Sequence, residues 1–465
     1  MEMQKNNKKR FIGLAIAVIL ILIGALTAAP SGLEQTGWVG LMILLGSLVM
    51  MFTDTMPLAC VSFVGLALLA WFKVTDWGWI FGNFGLSSAL FMVGAFSTTA
   101  ALVNTSIPVR IANFAMKLSK GNTKLLVLYF MIFSAIVSSF MSNMAAMGVF
   151  VGVALKAIAL LNDPKPGSSN LARDLMIGVA LGSGIGGVGT PCGFGGNLAI
   201  IGMIESSTGI KVSFMQWTII GYPIMIITLV VAWIILINVF KPEPLPEKSD
   251  LAGAADKLPP LDAREIKAVI IMVLMIACWI LGSWYPVLNG IAVALVGTAL
   301  FMMPGIDVFT WPQFNKEVSW NMVFMCGGII PMITAVSGTG AIKWVVDGCL
   351  GVLSGMPLII LLFCMALLGA LLHSFIPLGA PIMTLLTIPY CLFGVSLGFS
   401  PVLGAIIAAF FSTAAVNLPY DALPAMGLAY GYFSAGDYVK QGIPTAIACC
   451  IILALIGYPL CSLVF

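Results

Sequence analysis

Two stretches of an otherwise apolar chain carry residues whose types and spacing could do chemistry. One is Gly182-Ser183-Gly184-Ile185-Gly186-Gly187-Val188-Gly189-Thr190-Pro191-Cys192-Gly193-Phe194-Gly195-Gly196-Asn197, too rich in glycine to stay helical. The other is Ser412-Thr413-Ala414-Ala415-Val416-Asn417-Leu418-Pro419-Tyr420-Asp421-Ala422-Leu423-Pro424, which holds two prolines and an acid. Backbone unwound inside a bilayer survives only where protein or a water-filled cavity satisfies its N–H and C=O groups. Free carbonyls suit Na⁺, and the N-termini of half-helices suit an anion. Spaced glycines also let helices pack closely, but Gly-Thr-Pro followed by Gly-Gly-Asn is not the spacing such packing asks for. The run lacks the Gly-Lys-Ser/Thr ending of a phosphate-binding loop, and the chain has no His-Glu-x-x-His and no Asp-rich diphosphate motif. An intramembrane enzyme would have to work with His373, the only histidine, and Asp421, so enzymatic chemistry is the remote alternative to transport.

The elements that position these stretches are membrane helices. Hydrophobic residues make up 60% of the 465 and charged residues 8%, against roughly 25% charged in an ordinary soluble domain. Apolar runs long enough to cross the hydrocarbon core as helices recur along the chain, where a β-barrel would show short alternating strands. The expected fold is therefore an all-α membrane protein with about eleven spanning helices. These lie near residues 11–29, 37–53, 57–72, 84–103, 173–203, 216–240, 266–283, 286–303, 319–341, 398–430 and 441–463. Thr123 to Leu161 and Met356 to Leu397 each read as two short apolar helices around a tip, a re-entrant hairpin.

The first run follows Lys5, Lys8, Lys9 and Arg10 like a secretory signal, but it is long for one, and Pro30-Ser31-Gly32 is a weak cleavage site. A retained helix is expected. With the amino terminus in the cytoplasm, every Lys and Arg except Lys73, Lys211 and Lys343 falls on the cytoplasmic side, as the positive-inside rule requires, and the carboxyl terminus lies outside. The basic residues thus orient loops in the cytoplasmic membrane and give no reason to expect nucleic acid. Arg110, Lys117, Lys120 and Lys124 fit an interfacial amphipathic helix before the first hairpin, with the segment holding Lys343 and Asp347 as its counterpart. Cysteines are scattered without metal-ligand spacing and read as small hydrophobes.

The chain also repeats itself. Ser138-Ser139-Phe140-Met141-Ser142-Asn143-Met144-Ala145 at the first tip is echoed by His373-Ser374-Phe375-Ile376-Pro377-Leu378-Gly379-Ala380 at the second. Phe214 to Trp217 with Gly221-Tyr222-Pro223 is echoed by Phe433 to Tyr438 with Gly442-Ile443-Pro444. The domain reading follows: a terminal segment and first helix over 1–36, a first repeat over 37–240 and a charged cytoplasmic linker over 241–265. A second repeat covers 266–465. The hairpins are 123–161 and 356–397, and the broken helices 173–203 and 398–430. An odd number of crossings between equivalent points makes the two halves inverted, which places sites where interrupted helices meet near the midplane.

These residues resemble the divalent anion/sodium symporter family of dicarboxylate, citrate and sulfate carriers, within the ion transporter superfamily, over most of the chain. Its marks are a Ser-Asn-Thr tip in each hairpin and a Gly-Thr or Leu-Pro break, ending in Pro-Pro-Asn, in the helix that follows. The resemblance implies a homodimer working by alternating access, Na⁺ held by tip and break in each half, and substrate carboxylates held by both tips. It assigns Ser138, Ser142, Asn143 and Gly193 to a cation, and Ser142, Asn143, Met144, Pro377, Leu378, Gly379 and Leu423 to the substrate. No cofactor is implied beyond Na⁺ as coupling ion.

The chain departs from this pattern at Met144, at Phe194-Gly195-Gly196 and at Pro377-Leu378-Gly379, each losing a polar group. His373 stands where the family has a Thr cation ligand, and Asp421 where a break carbonyl is supplied. A hypothesis follows, that His373 and Asp421 pair and put a fixed or titratable positive charge in place of the second Na⁺. The competing possibility is a neutral His bonded to a carbonyl, with Asp421 as a helix cap. The expected function is secondary transport of a small anion of the carboxylate, sulfonate or sulfate class. Coupling is to Na⁺, H⁺ or both, or the carrier is an anion exchanger. The alternative is a proton-linked antiporter or arsenite-type permease of the same superfamily.

Overall fold

Most apolar runs become helices, and the polar residues between them supply the caps. The structure, a computed structural model, describes residues 7–84, 87–161, 167–246, 253, 257–353, 355–376 and 378–465. Pro377 and part of the expected linker fall outside the described residues. After α1 (Asn7–Leu26), the first half runs α2 (Gln35–Phe52), α3 (Leu58–Trp71), α4 (Trp77–Asn83), α5 (Ser87–Val103) and α6 (Ile107–Leu118). It continues with α7 (Thr123–Ser138), α8 (Asn143–Ala159), α9 (Asn170–Gly186), α10 (Gly195–Thr208) and α11 (Phe214–Val239). The second half runs α12 (Ala263–Leu281), α13 (Gly290–Phe301), α14 (Trp311–Glu317), α15 (Trp320–Gly338) and α16 (Ala341–Leu353). Then come α17 (Leu358–Phe375), α18 (Gly379–Leu397), α19 (Pro401–Thr413), α20 (Ala422–Leu428), α21 (Ala435–Ile452) and, after a π turn, α22 (Tyr458–Val464).

Among the described residues there is no strand, and eight helices are long and apolar enough to cross a membrane. A seven-residue helix stands between longer ones early in each half, α4 and α14. α1 lays Gly13, Ala17 and Gly24 against α2, and Arg10 reaches the carbonyl of Thr55 at 2.8 Å.

The echoed sequence before each last helix does the same work twice. Ser213 caps α11 in a capping box with Gln216, and Ser434 caps α21 in one with Asp437. One residue on, the buried Trp217 indole donates to Val188 O at 2.9 Å, and the buried Tyr438 hydroxyl donates to Ala415 O at 2.6 Å. Four residues further, Gly221 and Gly442 let the broken segment come close. A Cβ on Gly221 would sit 2.6 Å from Val188 O, and one on Gly442 2.5 Å from Val416 O. Each last helix is thus fastened to the unwound backbone of its own half.

The glycine run behaves differently from the expectation that it cannot stay helical. α9 continues to Gly186, because Gly182 and Gly186 share the face packed on α7, where Met131 and Ala135 leave no room for a side chain. That part of the run is close helix packing, and only 187–194 is unwound. α6 is amphipathic as expected, burying Ala112, Ala115 and Met116, but it stops at Leu118. Lys120 therefore lies in the following turn, with φ of 49°, and Lys124 on α7.

Trp217→Phe and Tyr438→Phe keep a ring and remove the donor, leaving a buried carbonyl unpaired. Each variant is expected to lose about 1–3 kcal/mol, read as a lower Tm in detergent. An unchanged Tm in both would show that these bonds do not hold the breaks.

Candidate functional site

In the first half, tip and break are tied by hydroxyls and amides. α7 ends on buried Ser138, whose Oγ lies 2.7 Å from Ser183 O and 2.8 Å from Asn143 Oδ1. Ser139 Oγ lies 3.2 Å from Gly186 O, and Thr190 Oγ1 donates to Ser139 O. Asn197, fully buried at the start of α10, donates to Gly187 O at 2.7 Å and to Thr190 O at 2.9 Å. Most freed carbonyls of this break thereby have donors, as buried backbone requires.

Two buried oxygens remain without a hydrogen-bond partner, Ser183 Oγ and Asn197 Oδ1. Asn197 and the backbone carbonyl of Ser183 belong to the cluster that holds Ser138, Asn143 and Gly187, and Gly193 packs directly on Gly187. Unsatisfied oxygens among hydroxyl, amide and carbonyl groups, with no nitrogen or sulfur ligand, fit a hard cation such as Na⁺. The tip is also held from outside its own hairpin. Thr98 Oγ1 of α5 donates to Phe140 O at 2.7 Å, and Thr99 Oγ1 accepts from Ser142 N at 3.1 Å.

The second half is built from other groups. Asn417 in the break reaches back to the hairpin, donating to Ala370 O at 2.8 Å and to Ser374 Oγ. Asp421 is the N-cap of α20 and accepts from Leu423 N at 3.1 Å. Its Oδ2 lies 3.6 Å from His373 Nε2, an ion-pair distance too long for a hydrogen bond. The His373 side chain is 1% exposed and that of Asp421 19%. Neither ring nitrogen of His373 has a hydrogen-bond partner. Gly379, at the tip position where the resemblance calls for Thr, is pressed against Ser412 O so closely that no side chain fits.

Both halves face one cavity of about 280 Å³. Ser142, Asn143, Met144, Gly193, Gly379, Asp421 and Leu423 line it. Ser138 and His373 stand behind its wall, and Leu378 is exposed and does not line it. Pro377 lies outside the described residues. Thr99 and Phe194 also line the cavity, and reasoning from the sequence assigned neither a role. The signal for Thr99 was there, in the Ser97-Thr98-Thr99 run inside an apolar span.

The first residues of α8, α10 and α18, Asn143, Gly195 and Gly379, all face this space, and their N-caps Ser142, Phe194 and Leu378 make no side-chain capping bond. Uncapped helix N-termini present free N–H groups and roughly half a positive charge each. No Lys or Arg lines the cavity, and Asp421 is its one charged lining residue among the described ones.

Fold and cavity together are those of a multi-pass helical membrane protein with a cavity between its two halves. The chain belongs to the family described as the sodium:sulfate symporter transmembrane region, whose profile matches residues 8–464. It is 25% identical over 385 residues to the sodium-dependent dicarboxylate transporter SdcS of Staphylococcus saprophyticus, covering 78% of this chain and 74% of that one. The SdcS of Staphylococcus aureus is 25% identical over 370 residues, covering 73% and 71%. In fold it is similar to the Alcanivorax borkumensis YdaH transporter, with a TM-score of 0.58 at 12% identity over 97% of this chain and 99% of the other. The Neisseria gonorrhoeae MtrF efflux pump gives 0.54 at 13% identity over 96% and 94%.

Saturating Na⁺ is expected to stabilise the purified protein, by about 2.7 kcal/mol at a hundred times its Kd. Ser138→Ala and Asn143→Ala should abolish the difference in Tm between Na⁺ and K⁺, over a baseline lowered in both salts by the lost buried hydrogen bond. A Na⁺ response that survives both changes would place the cation elsewhere.

Proposed function

We propose that this protein is a secondary carrier of a small anion, working by alternating access with Na⁺ bound in the first half. The observation that carries the reading is the meeting of three uncapped helix N-termini at one cavity whose lining holds no Lys or Arg. Such a cavity attracts negative charge through backbone dipoles alone, which is modest, so a bound cation beside it adds the missing field. The cluster of Ser138, Asn143, Ser183 and Gly193 offers that cation a place. Anion and Na⁺ then bind better together than apart, and that is the thermodynamic content of coupling.

The two tips differ, and this bears on substrate class. Ser142 and Asn143 offer polar groups on the first side. The second side offers Gly379 without a side chain, and a carboxylate at Asp421. A second substrate carboxylate would meet a like charge there, which disfavours it. The preferred substrate is a monocarboxylate or a sulfonate, with an asymmetric dicarboxylate next. The same reading places the protein in the cytoplasmic membrane as a homodimer, amino terminus inside and carboxyl terminus outside. Its halves are inverted repeats, and α7–α8 and α17–α18 are re-entrant hairpins.

Thermal shift with acetate, lactate, ethanesulfonate, succinate, citrate and sulfate, each in Na⁺ and in K⁺, identifies the anion, and its uptake into proteoliposomes under a Na⁺ gradient tests the coupling. Stabilisation by a monoanion in Na⁺ and uptake that falls at least tenfold when K⁺ replaces Na⁺ are expected. A dicarboxylate that outranks every monoanion overturns the substrate class, and uptake indifferent to Na⁺ overturns the coupling.

A further inference from the structure

The repeat makes His373 the counterpart of Ser138, and Asp421 lies in the second break much as Gly193 lies in the first. Where the first half gathers neutral oxygens, the second holds a buried imidazole with both nitrogens unpartnered and a carboxylate 3.6 Å away. Two buried ring nitrogens without partners, one of them 3.6 Å from a carboxylate oxygen, leave this pair a place for one shared proton. We propose that the second half binds a proton on His373 in place of a metal cation, with Asp421 as its counter-ion and its only route to the cavity. This rests on the reading of the cavity as an anion site.

The route follows from placement. His373 does not line the cavity, whereas the Asp421 carboxylate does, so a proton arriving from the cavity meets Asp421 first and passes to Nε2. The other titratable groups on the elements packed against α17 are engaged elsewhere. Tyr390 of α18 donates to Met365 O, and Tyr438 of α21 to Ala415 O. Asp437 pairs with Arg173 at 3.3 Å, and Lys440 lies over the Phe240 ring. Cys391, Cys449 and Cys450 are buried thiols, Tyr420 beside Asp421 is exposed, and α19 and the π turn carry no titratable side chain.

Charge counting then gives a mechanism. With His373 neutral and Asp421 ionised, the second half is negative and repels an anion at the cavity. Adding a proton to His373 makes the pair neutral, so the proton and the anion favour each other's binding. With Na⁺ in the first half, the site carrying Na⁺, a proton and a monoanion has no net charge, the form that crosses a low-dielectric region at least cost. The empty site keeps the charge of Asp421. Each cycle moves one net positive charge with the anion.

Because the chain has a single histidine, labelling with ¹⁵N-histidine reports this group alone. The full-length protein, purified through a tag free of histidine and held in lipid nanodiscs, is titrated by the imidazole ¹⁵N shifts. We expect the imidazole ¹⁵N signals to report proton uptake, and Asp421→Asn to lower the proton affinity of the ring at least tenfold. Asn still caps α20, so the fold is kept, and Asp421→Glu should restore the midpoint. A ring that stays neutral from pH 8 to pH 5, or a midpoint indifferent to Asp421→Asn, overturns the proposal. The titration uses no transported anion, so its outcome is independent of whether the thermal-shift panel bears out the carrier reading.

Discussion

Carbonyls freed where a membrane helix unwinds must find donors away from water, and much of the molecule is arranged to supply them. In the first half Ser138, Ser139, Asn197 and Trp217 each take one or more of these acceptors. In the second, Tyr438 takes Ala415 O, while Asn417 from within the break bonds the hairpin. Donors come from the hairpin, the continuing helix and the last helix of the same half, so these parts are bound into one unit. The exception is α5, whose Thr98 and Thr99 reach the first tip from a helix that precedes the hairpin. That contact lies at the cavity wall, which Thr99, Ser142 and Asn143 share.

The division of labour around the cavity is electrostatic. Backbone dipoles from α8, α10 and α18 supply a diffuse positive field, and among the described residues the lining carries no basic side chain. A permanent Lys or Arg would add a full fixed charge, stronger than any one of these dipoles, and the acid that does line the cavity, Asp421, is committed through one oxygen to capping α20.

Much of this was legible in the residues. The apolar helices and the two breaks follow from length, composition and helix-breaking residues, and Asn143, Gly193, Gly379, Asp421 and Leu423 line one cavity. The glycine run was misjudged at its start. Gly182 and Gly186 are spaced for packing on α7, and composition alone does not separate a packed glycine helix from an unwound one. Thr99 and Phe194 were passed over because their roles depend on which helix stands beside the tip, a tertiary fact that periodicity does not carry. The echo between Trp217 and Tyr438 was visible as sequence, but its meaning, a donor for a break carbonyl, needed the fold.

The tight seat of Gly379 against Ser412 O also fixes what this position can become. Any side chain there would be driven into the backbone at the end of α19, so a change at 379 has to be accompanied by a shift of that helix end. The start of α18 and the end of α19 are in this sense one joint, and neither can be redesigned without the other.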